Sequence, residues 1–473
     1  MSNEKEKHDV IIFGAGPAGV TAAYKLAQSG KNVVVFEKDS QIGGISKTIN
    51  YKDFFFDLGP HRFFTKSKEV NEFWKTTLGN DFLLVNRLTR IHYKNKFFFY
   101  PLKPANALFG LGFFPSILIV GSYIWAKLFP HKKERNFEQW VSNRFGKKLY
   151  EAFFKTYTEK LWGIPCAEIE ASWVAQRIKG LSLITAVKNA LLPDKSGKVK
   201  TLIDQFHFPR YGAGMMYEKI AENSRKKGAQ IMLESEVIEI KSEGKKIKSV
   251  VVKNKNGEEQ EYFANHFLSS IPLTHLVKRI IPSADSKILR ATDNLKFRST
   301  VMVNLIYNSK NPFPDNWIYV HSAEAKTGRI GSPKNMSKYM VPDKDKISLS
   351  LEYWCTENDE IWKMLDDKLI KLGVSDLDKL NLAKKEDFSD GFVVRVPKTY
   401  PVHDGTYAKN TEIIRDYLDK IENLQPIGRY GMFKYNNMDH SILTGLYAAE
   451  NILGSSHNIW EINAEEEYHE TAK

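Results

Sequence analysis

The chain has 473 residues, which at roughly 150 residues per domain predicts about three domains. Only two cysteines are present, Cys166 and Cys355, which excludes a disulfide-rich scaffold and a cysteine-based zinc cluster. The formal net charge of +13 fits an anionic partner, and composition leaves three kinds open: nucleic acid, an acidic membrane face and a phosphorylated small molecule.

The predicted elements begin with a βαβ unit. Its strands are predicted at residues 9–13 and 31–36, and its helix at 20–29. Short strands with one helix are expected over 51–100. From about residue 104 to 200 the pattern is helical.

The second half of the chain is predicted to be richer in strands. Residues 230–241 and 247–253 indicate a strand pair joined through Gly244, and 266–271 a buried strand. A strand-rich region over 296–355 precedes an amphipathic helix predicted at 358–372. Residues 428–453 indicate a loop that enters a last helix.

The strongest local signal follows the first predicted strand. It is the run Gly14-Ala15-Gly16-Pro17-Ala18-Gly19, and Glu37 ends the second strand. In a dinucleotide-binding βαβ unit such glycines allow a tight turn, approach of the pyrophosphate and close helix packing. The pyrophosphate lies at the positive end of the helix, and the acid accepts ribose hydroxyls. These residues predict binding of FAD or NAD rather than NADP.

A second glycine segment separates FAD from NAD. It reads Gly43-Gly44-Ile45-Ser46-Lys47-Thr48 and resembles the second pyrophosphate and ribityl contact of glutathione-reductase-type flavoproteins. No second complete Gly-x-Gly-x-x-Gly unit is present. We therefore expect FAD without a dedicated NAD(P)H domain, so an external NAD(P)H reductant would have to reach the flavin directly.

Further motifs resemble those of UDP-galactopyranose mutases, in chain order from about residue 9 to 453. The matching segments are 57–64, 100–101, 137–140, 157–165, 173–177, 208–214 and 428–441. The likeness is greatest to the longer, eukaryotic-like mutases. It is shared more distantly with protoporphyrinogen oxidases, phytoene desaturases and amine oxidases.

The resemblance implies an α/β fold: a discontinuous Rossmann-like FAD-binding domain of the glutathione-reductase type, an antiparallel-sheet substrate domain and a helical domain. The FAD-binding domain is expected over 1–60, 201–275 and 425–460. The substrate domain is expected over 61–103 and 276–424, the helical domain over 104–200, and an acidic tail over 461–473.

The resemblance also implies an activity, the exchange of pyranose and furanose forms of a sugar nucleotide through an adduct between reduced FAD and the sugar. The alternative is an FAD-dependent oxidoreductase of the protoporphyrinogen oxidase, desaturase or amine oxidase type, acting on a hydrophobic substrate. A third interpretation is a flavin-bound subunit without catalysis. A cleft with three cations favours the first, because guanidinium groups bind diphosphate well.

The site residues carried over by the resemblance form three sets. The catalytic set is Arg177, Arg329, Arg429 and His61. The substrate-binding set is Tyr157, Trp162, Tyr319, Tyr400, Tyr435 and Asn437. The FAD-binding set is Gly14, Gly16, Ala18, Gly19, Glu37, Lys38, Gly44, Ser46, Gly59, His61, Val237, Gly428, Arg429, Met438 and Ser441.

Two positions depart from the mutase pattern and leave the substrate open. Thr158 stands where the family has asparagine, and Met336 where it has a diphosphate-binding tyrosine. A different sugar nucleotide or a lipid-linked substrate fits equally well. The plainer interpretation of each arginine is a surface cation. The plainer interpretation of the tyrosines and of His61 is packing in the core. The histidines lack metal-ligand spacing, so no metal is predicted.

Residues 104–126 contain no charged residue over 23 positions, a length that could span a bilayer. A single crossing is excluded if 9–60 and 428–453 meet around one flavin. The expected arrangement is a buried helix pair broken near Pro115. The alternative is an in-plane anchor over 104–135, with Lys127, Lys132, Lys133 and Arg135 beside anionic headgroups.

The expected location is cytoplasmic. Under the anchor alternative, the protein would lie on the inner face of the membrane. No nucleic-acid-binding module is recognised, so nucleic acid is not an expected partner. The oligomeric state is left open.

Overall fold

The computed structural model of the chain describes residues 7–100, 102, 104–171, 205–310 and 313–463. The motif at 173–177, with Arg177, lies outside these residues. The strands are β1 (Lys7–Phe13), β2 (Val33–Phe36), β3 (Thr48–Tyr51), β4 (Phe54–Asp57), β5 (Phe82–Asn86), β6 (Thr89–Tyr93), β7 (Lys96–Phe99), β8 (Gln205–Pro209), β9 (Gln230–Met232), β10 (Ser235–Glu243), β11 (Lys246–Asn254), β12 (Glu259–Ser269), β13 (Ile280–Ile281), β14 (Phe297–Tyr307), β15 (Trp317–Val320), β16 (Arg329–Gly331), β17 (Ile347–Cys355), β18 (Phe388–Pro401) and β19 (Leu424–Pro426).

The α-helices lie between these strands. They are α1 (Pro17–Gln28), α2 (Lys68–Leu78), α3 (Pro104–Leu111), α4 (Phe113–Leu128), α5 (Phe137–Phe145), α6 (Lys147–Tyr150), α7 (Thr156–Trp162), α8 (Gly214–Lys226), α9 (Leu273–Arg279), α10 (Ser286–Asp293), α11 (Pro333–Met336), α12 (Glu360–Lys363), α13 (Asp366–Lys379), α14 (Tyr407–Leu418), α15 (Gly428–Gly431) and α16 (Met438–Ile452). A π-helical turn, Glu151–Lys155, leads into α7.

The first sheet is built around the predicted βαβ unit. Its strand order is β13-β10-β11-β12-β1-β2-β9, with β19 beside β12. Strand β1 is parallel to both β2 and β12, pairing Val10 with Val33 and with His266. Its residues alternate between two cores, Val10 and Ile12 against α1, α8 and α16, and the intervening residues against α9, α10 and α14. Because both faces of β1 are buried, its residues form a continuous apolar run.

The second sheet has the strand order β18-β14-β17-β16-β15-β6-β7. All its pairs are antiparallel except β15 with β6. One face packs against α13, with Leu369 and Leu377 in the same core as Val303 and Leu305. The register sets Arg329 directly opposite Tyr319 on one side and Glu352 on the other. Paired residues share a face, so these three side chains project to the same side of the sheet.

Helices α3 to α7 form a helical layer beside the second sheet. The predicted apolar helix pair exists, and its break lies at Gly112 rather than near Pro115, which lies in the first turn of α4. The prediction that this pair is buried is wrong. In α4 only Ile119 and Ala126 are buried, while Phe113 and Phe114 are 75% and 78% exposed. None of the described helices combines the length and hydrophobicity that crossing a bilayer requires.

The helix predicted at 358–372 is instead two helices, α12 and α13, separated by extended backbone at Met364 and Leu365. The guanidinium of Arg395 explains the break, because it donates to the carbonyl oxygens of Trp362 and Met364. It also pairs with Asp366 in the first turn of α13, at 2.7 Å. The domain limits stated above remain a prediction.

Candidate cofactor and substrate cavity

A cavity of about 1400 Å³ lies where the two sheets and the helical layer meet. Its wall includes the β1–α1 turn at one end and residues of β18, β15 and α7 at the other. Pockets for a single small ligand are typically about 300–1000 Å³, so this cavity has room for a dinucleotide and a second molecule.

The glycine turn at the first end is shaped by close backbone contacts. A β-carbon at Gly19 would lie 1.9 Å from the carbonyl oxygen of Gly14, so any larger residue would push α1 away from the turn. A β-carbon at Gly44 would lie 3.3 Å from the Cα atom of Gly16, so the two predicted glycine segments face each other. Gly19 packs behind the cavity wall, and Gly16 and Gly44 line it.

Glu37 is held at the end of β2, in the cavity wall. Its Oε2 accepts the N–H of Ala15 at 2.7 Å, and its Oε1 accepts the N–H of Asp39 at 2.9 Å. Burial raises the pKa of this carboxyl, and the two backbone donors oppose that rise. Glu37 therefore ties the glycine turn to the second strand while keeping lone pairs for a ribose hydroxyl.

Helices α1 and α16 both begin at the cavity, and they differ in how their first amides are satisfied. No side chain caps α1 after Gly16, so its first N–H groups are available to an anion. In α16 a capping box joins Asn437 and His440, and the Asn437 N–H donates to His440 Nδ1 at 3.3 Å. Asn437, predicted to bind substrate, thus uses its side chain on its own helix, although it also lines the cavity.

The residues present fit an FAD molecule. The uncapped start of α1, the facing glycines and Glu37 match its pyrophosphate and ribose, and the buried Nδ1 atom of His61 has no hydrogen-bond partner among the described residues. The predicted FAD-binding residues that line the cavity are Gly14, Gly16, Ala18, Glu37, Lys38, Gly44, Ser46, Gly59, His61, Val237, Gly428, Arg429, Met438 and Ser441.

The structure brings Arg329 to the second end of the cavity, where it forms an ion pair that the sequence did not predict. Its Nε and Nη2 donate to Glu352 Oε1 and Oε2 at 2.7 and 2.5 Å, a bidentate arrangement. Nη2 also lies 3.2 Å from the hydroxyl of Tyr400. Glu352 is buried, Arg329 keeps 14% of its side chain exposed, and the carboxylate raises the pKa of Arg329 against the effect of burial.

Arg429 is held differently, by carbonyl oxygens. Its Nε and Nη2 donate to Thr399 O at 3.2 and 2.9 Å, and its Nη1 donates to Asn436 O at 3.0 Å. The guanidinium carbon lies 4.2 Å from the ring centre of Tyr435. No carboxylate of the described chain forms an ion pair with it, so Arg429 brings a net positive charge to the cavity.

His61 lines the same cavity and feels the charge of both arginines. Burial lowers the pKa of its imidazole to about 3, and the positive charges of Arg329 and Arg429 act in the same direction. The ring is therefore neutral at physiological pH. His61 therefore acts in this site as a neutral hydrogen-bonding group and not as a cation.

The predicted tyrosines form one aromatic wall. The Tyr157 ring packs edge-on against Tyr319 at 5.5 Å and is stacked on His321 at 4.9 Å. The rings of Tyr400 and Tyr435 are stacked at 5.7 Å. Burial raises the pKa of Tyr157 and of Tyr400, so both phenols stay protonated hydrogen-bond donors.

Trp162 closes α7 and lies buried in the same wall. Arg298 fixes this helix end, because its Nε donates to Leu161 O at 3.1 Å and its Nη2 to Trp354 O at 2.8 Å. Sequence reasoning missed Arg298 and Glu352. Glu352 did carry a signal, since it is the one charged residue in the otherwise uncharged strand β17.

The two departures from the mutase pattern occupy different places. Thr158 is buried and lines the cavity. Met336 packs instead in an apolar cluster with Trp317 and Met340 and is not part of the cavity wall.

The mixed first sheet with its parallel strands around β1, the glycine turn and the two-ended cavity define an α/β flavoprotein of the dinucleotide-binding type. The chain belongs to the family described as flavin containing amine oxidoreductase, whose family model matches residues 17–453. This membership supports the flavin cofactor that the fit of the cavity residues indicates.

Solved structures share the fold. A reduced UDP-galactopyranose mutase has a TM-score of 0.83 at 21% identity, covering 97% of this chain and 96% of that one. A protein from Exiguobacterium sp. 255-15, provisionally described as a protoporphyrinogen oxidase, has a TM-score of 0.71 at 16% identity, covering 95% and 99%. The predicted α/β fold with sheet and helical parts, and the likeness to the mutase, are confirmed.

Curated relatives match over shorter stretches. A probable UDP-galactopyranose mutase of Klebsiella pneumoniae is 31% identical over 185 residues, which is 35% of this chain and 43% of that protein. An L-amino-acid oxidase of Crotalus adamanteus is 46% identical over 66 residues, 14% of this chain and 13% of that protein. Each match thus spans less than half of the relative's length.

Proposed function

We propose that this protein is an FAD-dependent enzyme that interconverts pyranose and furanose forms of a sugar nucleotide. The observation that carries the proposal is the second end of the cavity, where Arg329, Arg429 and the phenol of Tyr400 converge within one wall. A sugar nucleotide combines a diphosphate, a hydroxyl-rich sugar and a flat base. Guanidinium groups, phenols and aromatic faces are the protein groups that bind these three parts.

The two arginines would divide the work of binding the diphosphate. Arg429 contributes a net positive charge, and its carbonyl contacts hold it in place. Arg329 is neutralised by Glu352, but its Nη1 makes no hydrogen bond within the described residues and its plane is fixed by the bidentate contact. A guanidinium fixed in this way loses little freedom when it binds an oxygen.

A bound, reduced flavin supplies an electron-rich ring nitrogen that can act as a nucleophile. The chain's own contribution is to position the sugar and the leaving diphosphate. His61, which is neutral, and the protonated phenols of Tyr157 and Tyr400 can donate or accept hydrogen bonds without adding charge. Trp162 is buried in the aromatic wall, and a sugar nucleotide bound against this wall would displace water from this end.

Ligand binding to the FAD-loaded protein tests the substrate class. Calorimetric titration should show UDP and UDP-sugars binding at least about tenfold more tightly than uridine, because only the former carry the diphosphate. Equal affinity for uridine and UDP, or no binding of either, would contradict the proposal.

One observation supports a second candidate, an FAD-dependent oxidoreductase that acts on a hydrophobic substrate. Part of the cavity wall is apolar, formed by Ile91, Leu102, Phe137, Phe153 and Phe154. An apolar substrate would bind there and transfer hydride to the flavin. Oxygen consumption on apolar amines or tetrapyrroles, with no effect of UDP, would favour this second function.

A further inference from the structure

Helices α3 and α4, with Phe129 directly after α4, expose an unusual number of large apolar side chains. We call them the apolar patch: Phe109, Phe113, Phe114, Ile117, Leu118, Val120, Ile124, Trp125, Leu128 and Phe129. Their exposed fractions run from 43% for Val120 to 88% for Phe109. Contiguous apolar surfaces of this kind mark interaction sites, because exposing them to water costs free energy.

The patch rests on a firmly attached helix. Gly146 packs against α4, where a β-carbon on Gly146 would lie 2.7 Å from the Tyr123 nitrogen, and Ser122 Oγ accepts the Lys148 N–H at 3.1 Å. On the inner side, Ile119 belongs to the same apolar cluster as Phe137 and Phe153, which line the cavity. The outward position of the large apolar residues is therefore a feature of a packed helix and not of a frayed end.

Exposed cations border the patch at the end of α4 and in the segments that follow: Lys127, Lys132, Lys133, Arg135 and Lys147. Two of the nearby acids are already paired, Glu134 with Arg144 at 2.5 Å and Glu151 with Lys148 at 2.9 Å. None of the five cations forms an ion pair among the described residues, so this basic rim keeps a surplus of positive charge.

We propose that the apolar patch docks into the headgroup region of an anionic phospholipid bilayer, with the basic rim on the lipid phosphates. The geometry requires an in-plane arrangement. At about 1.5 Å per residue, the 16 residues of α4 extend about 24 Å, less than the roughly 30 Å of bilayer hydrocarbon. Gly112, with φ of +94°, separates α4 from α3. A basic rim beside exposed phenylalanine and tryptophan is typical of helices that lie in the membrane interface.

The basic rim also argues against a second copy of the chain as the occupant. A two-fold dimer would bury the same patch on both copies, but it would place both basic rims on one assembly and supply no acidic partner for either rim. Like charges at such an interface repel, whereas anionic lipid neutralises them. The proposal does not depend on the reaction catalysed.

Vesicle flotation of the full-length, FAD-loaded protein tests the proposal. The wild type should float with vesicles of phosphatidylcholine containing phosphatidylglycerol, less with pure phosphatidylcholine, and less at high salt. The variant F113S/F114S should bind at least about tenfold more weakly, since both rings leave the interface. The variant K132E/K133E should lose the preference for anionic lipid.

Matched controls lie on other surfaces. Leu365 is exposed and apolar, and Lys384 and Lys385 are an exposed basic pair, so L365S and K384E/K385E should float like the wild type. Retained flavin absorbance confirms that each variant is folded. A wild type that stays with the soluble fraction overturns the proposal, whether it elutes as a monomer or as a patch-mediated dimer. Unchanged flotation of F113S/F114S also overturns it.

Discussion

Arg329 and Glu352 lie directly opposite each other on neighbouring strands and form a largely buried bidentate ion pair at the edge of the cavity. The pair joins two properties of the site, because it stabilises the second sheet and fixes the plane of a guanidinium that faces the ligand. Breaking a buried pair by removing one partner costs about 3–5 kcal/mol, whereas replacing both can be nearly neutral. The two roles can therefore be separated.

Replacing both partners should separate stability from ligand binding. We expect Arg329→Met alone to lower the free energy of unfolding by about 3–5 kcal/mol, because Glu352 is left buried and unpaired. The double variant R329M/E352Q should recover most of the lost stability, measured by denaturant unfolding. It should not recover the affinity for UDP, measured by calorimetric titration. Full recovery of UDP binding in the double variant would show that Arg329 only neutralises Glu352 and does not bind the ligand.

Arg429 should control the binding of both ligands. Arg429→Met removes three hydrogen bonds and leaves the carbonyl oxygens of Thr399 and Asn436 without this donor, which loosens the segment before α16. We expect flavin and UDP affinities to fall at least about tenfold each, measured by ultrafiltration and titration. Arg415→Met is the matched control, since Arg415 pairs on the exposed surface with Asp419 and should leave both affinities unchanged.

The glycine turn should tolerate no added methyl group at Gly19. In Gly19→Ala the β-carbon would meet the Gly14 carbonyl oxygen at 1.9 Å, so α1 must shift and the pyrophosphate amides move with it. We expect the purified variant to lose most of its flavin absorbance. Gly121→Ala is the control, because a β-carbon there meets no atom within 4 Å and alanine favours the helix. Equal flavin content in the two variants would contradict the assignment.

Asp57 should make stability depend on pH. Its carboxyl accepts the Thr48 hydroxyl at 2.5 Å and the Ala213 N–H at 3.0 Å, yet burial raises its pKa to about 7. The folded state therefore favours the protonated carboxyl. Its contribution to stability is complete below the unfolded pKa near 3.8 and is lost as the pH rises through 7.

Unfolding of the wild type and Asp57→Asn, at pH 5 and pH 8, measures this contribution. The wild type should lose on the order of 2 kcal/mol more than the variant between these two pH values, because asparagine does not titrate. Parallel pH profiles would show that the Asp57 carboxyl is already ionised at pH 5.

The βαβ unit could be predicted from the sequence because its contacts are local. The glycine turn, Glu37 and the start of α1 lie within one βαβ unit, so spacing alone places them together. Glu352 could not be paired with Arg329 in advance, because the two residues are 23 positions apart in the chain and their contact depends on the register of two strands.

The exposure of α4 also could not be read from the sequence. A helix that is apolar on all sides is normally buried, and nothing in its pattern states which face meets the protein. Met336 was placed by the resemblance at the diphosphate, but its packing against Trp317 is set by the tertiary fold.

The most direct test of the proposed function is turnover by the FAD-loaded protein, with sugar nucleotides separated by anion-exchange chromatography. After reduction with dithionite, the enzyme should convert UDP-galactofuranose or another UDP-furanose to the pyranose form, and the oxidised enzyme should be inactive. No interconversion across a panel of sugar nucleotides, together with oxygen-dependent oxidation of an apolar substrate, would contradict the account.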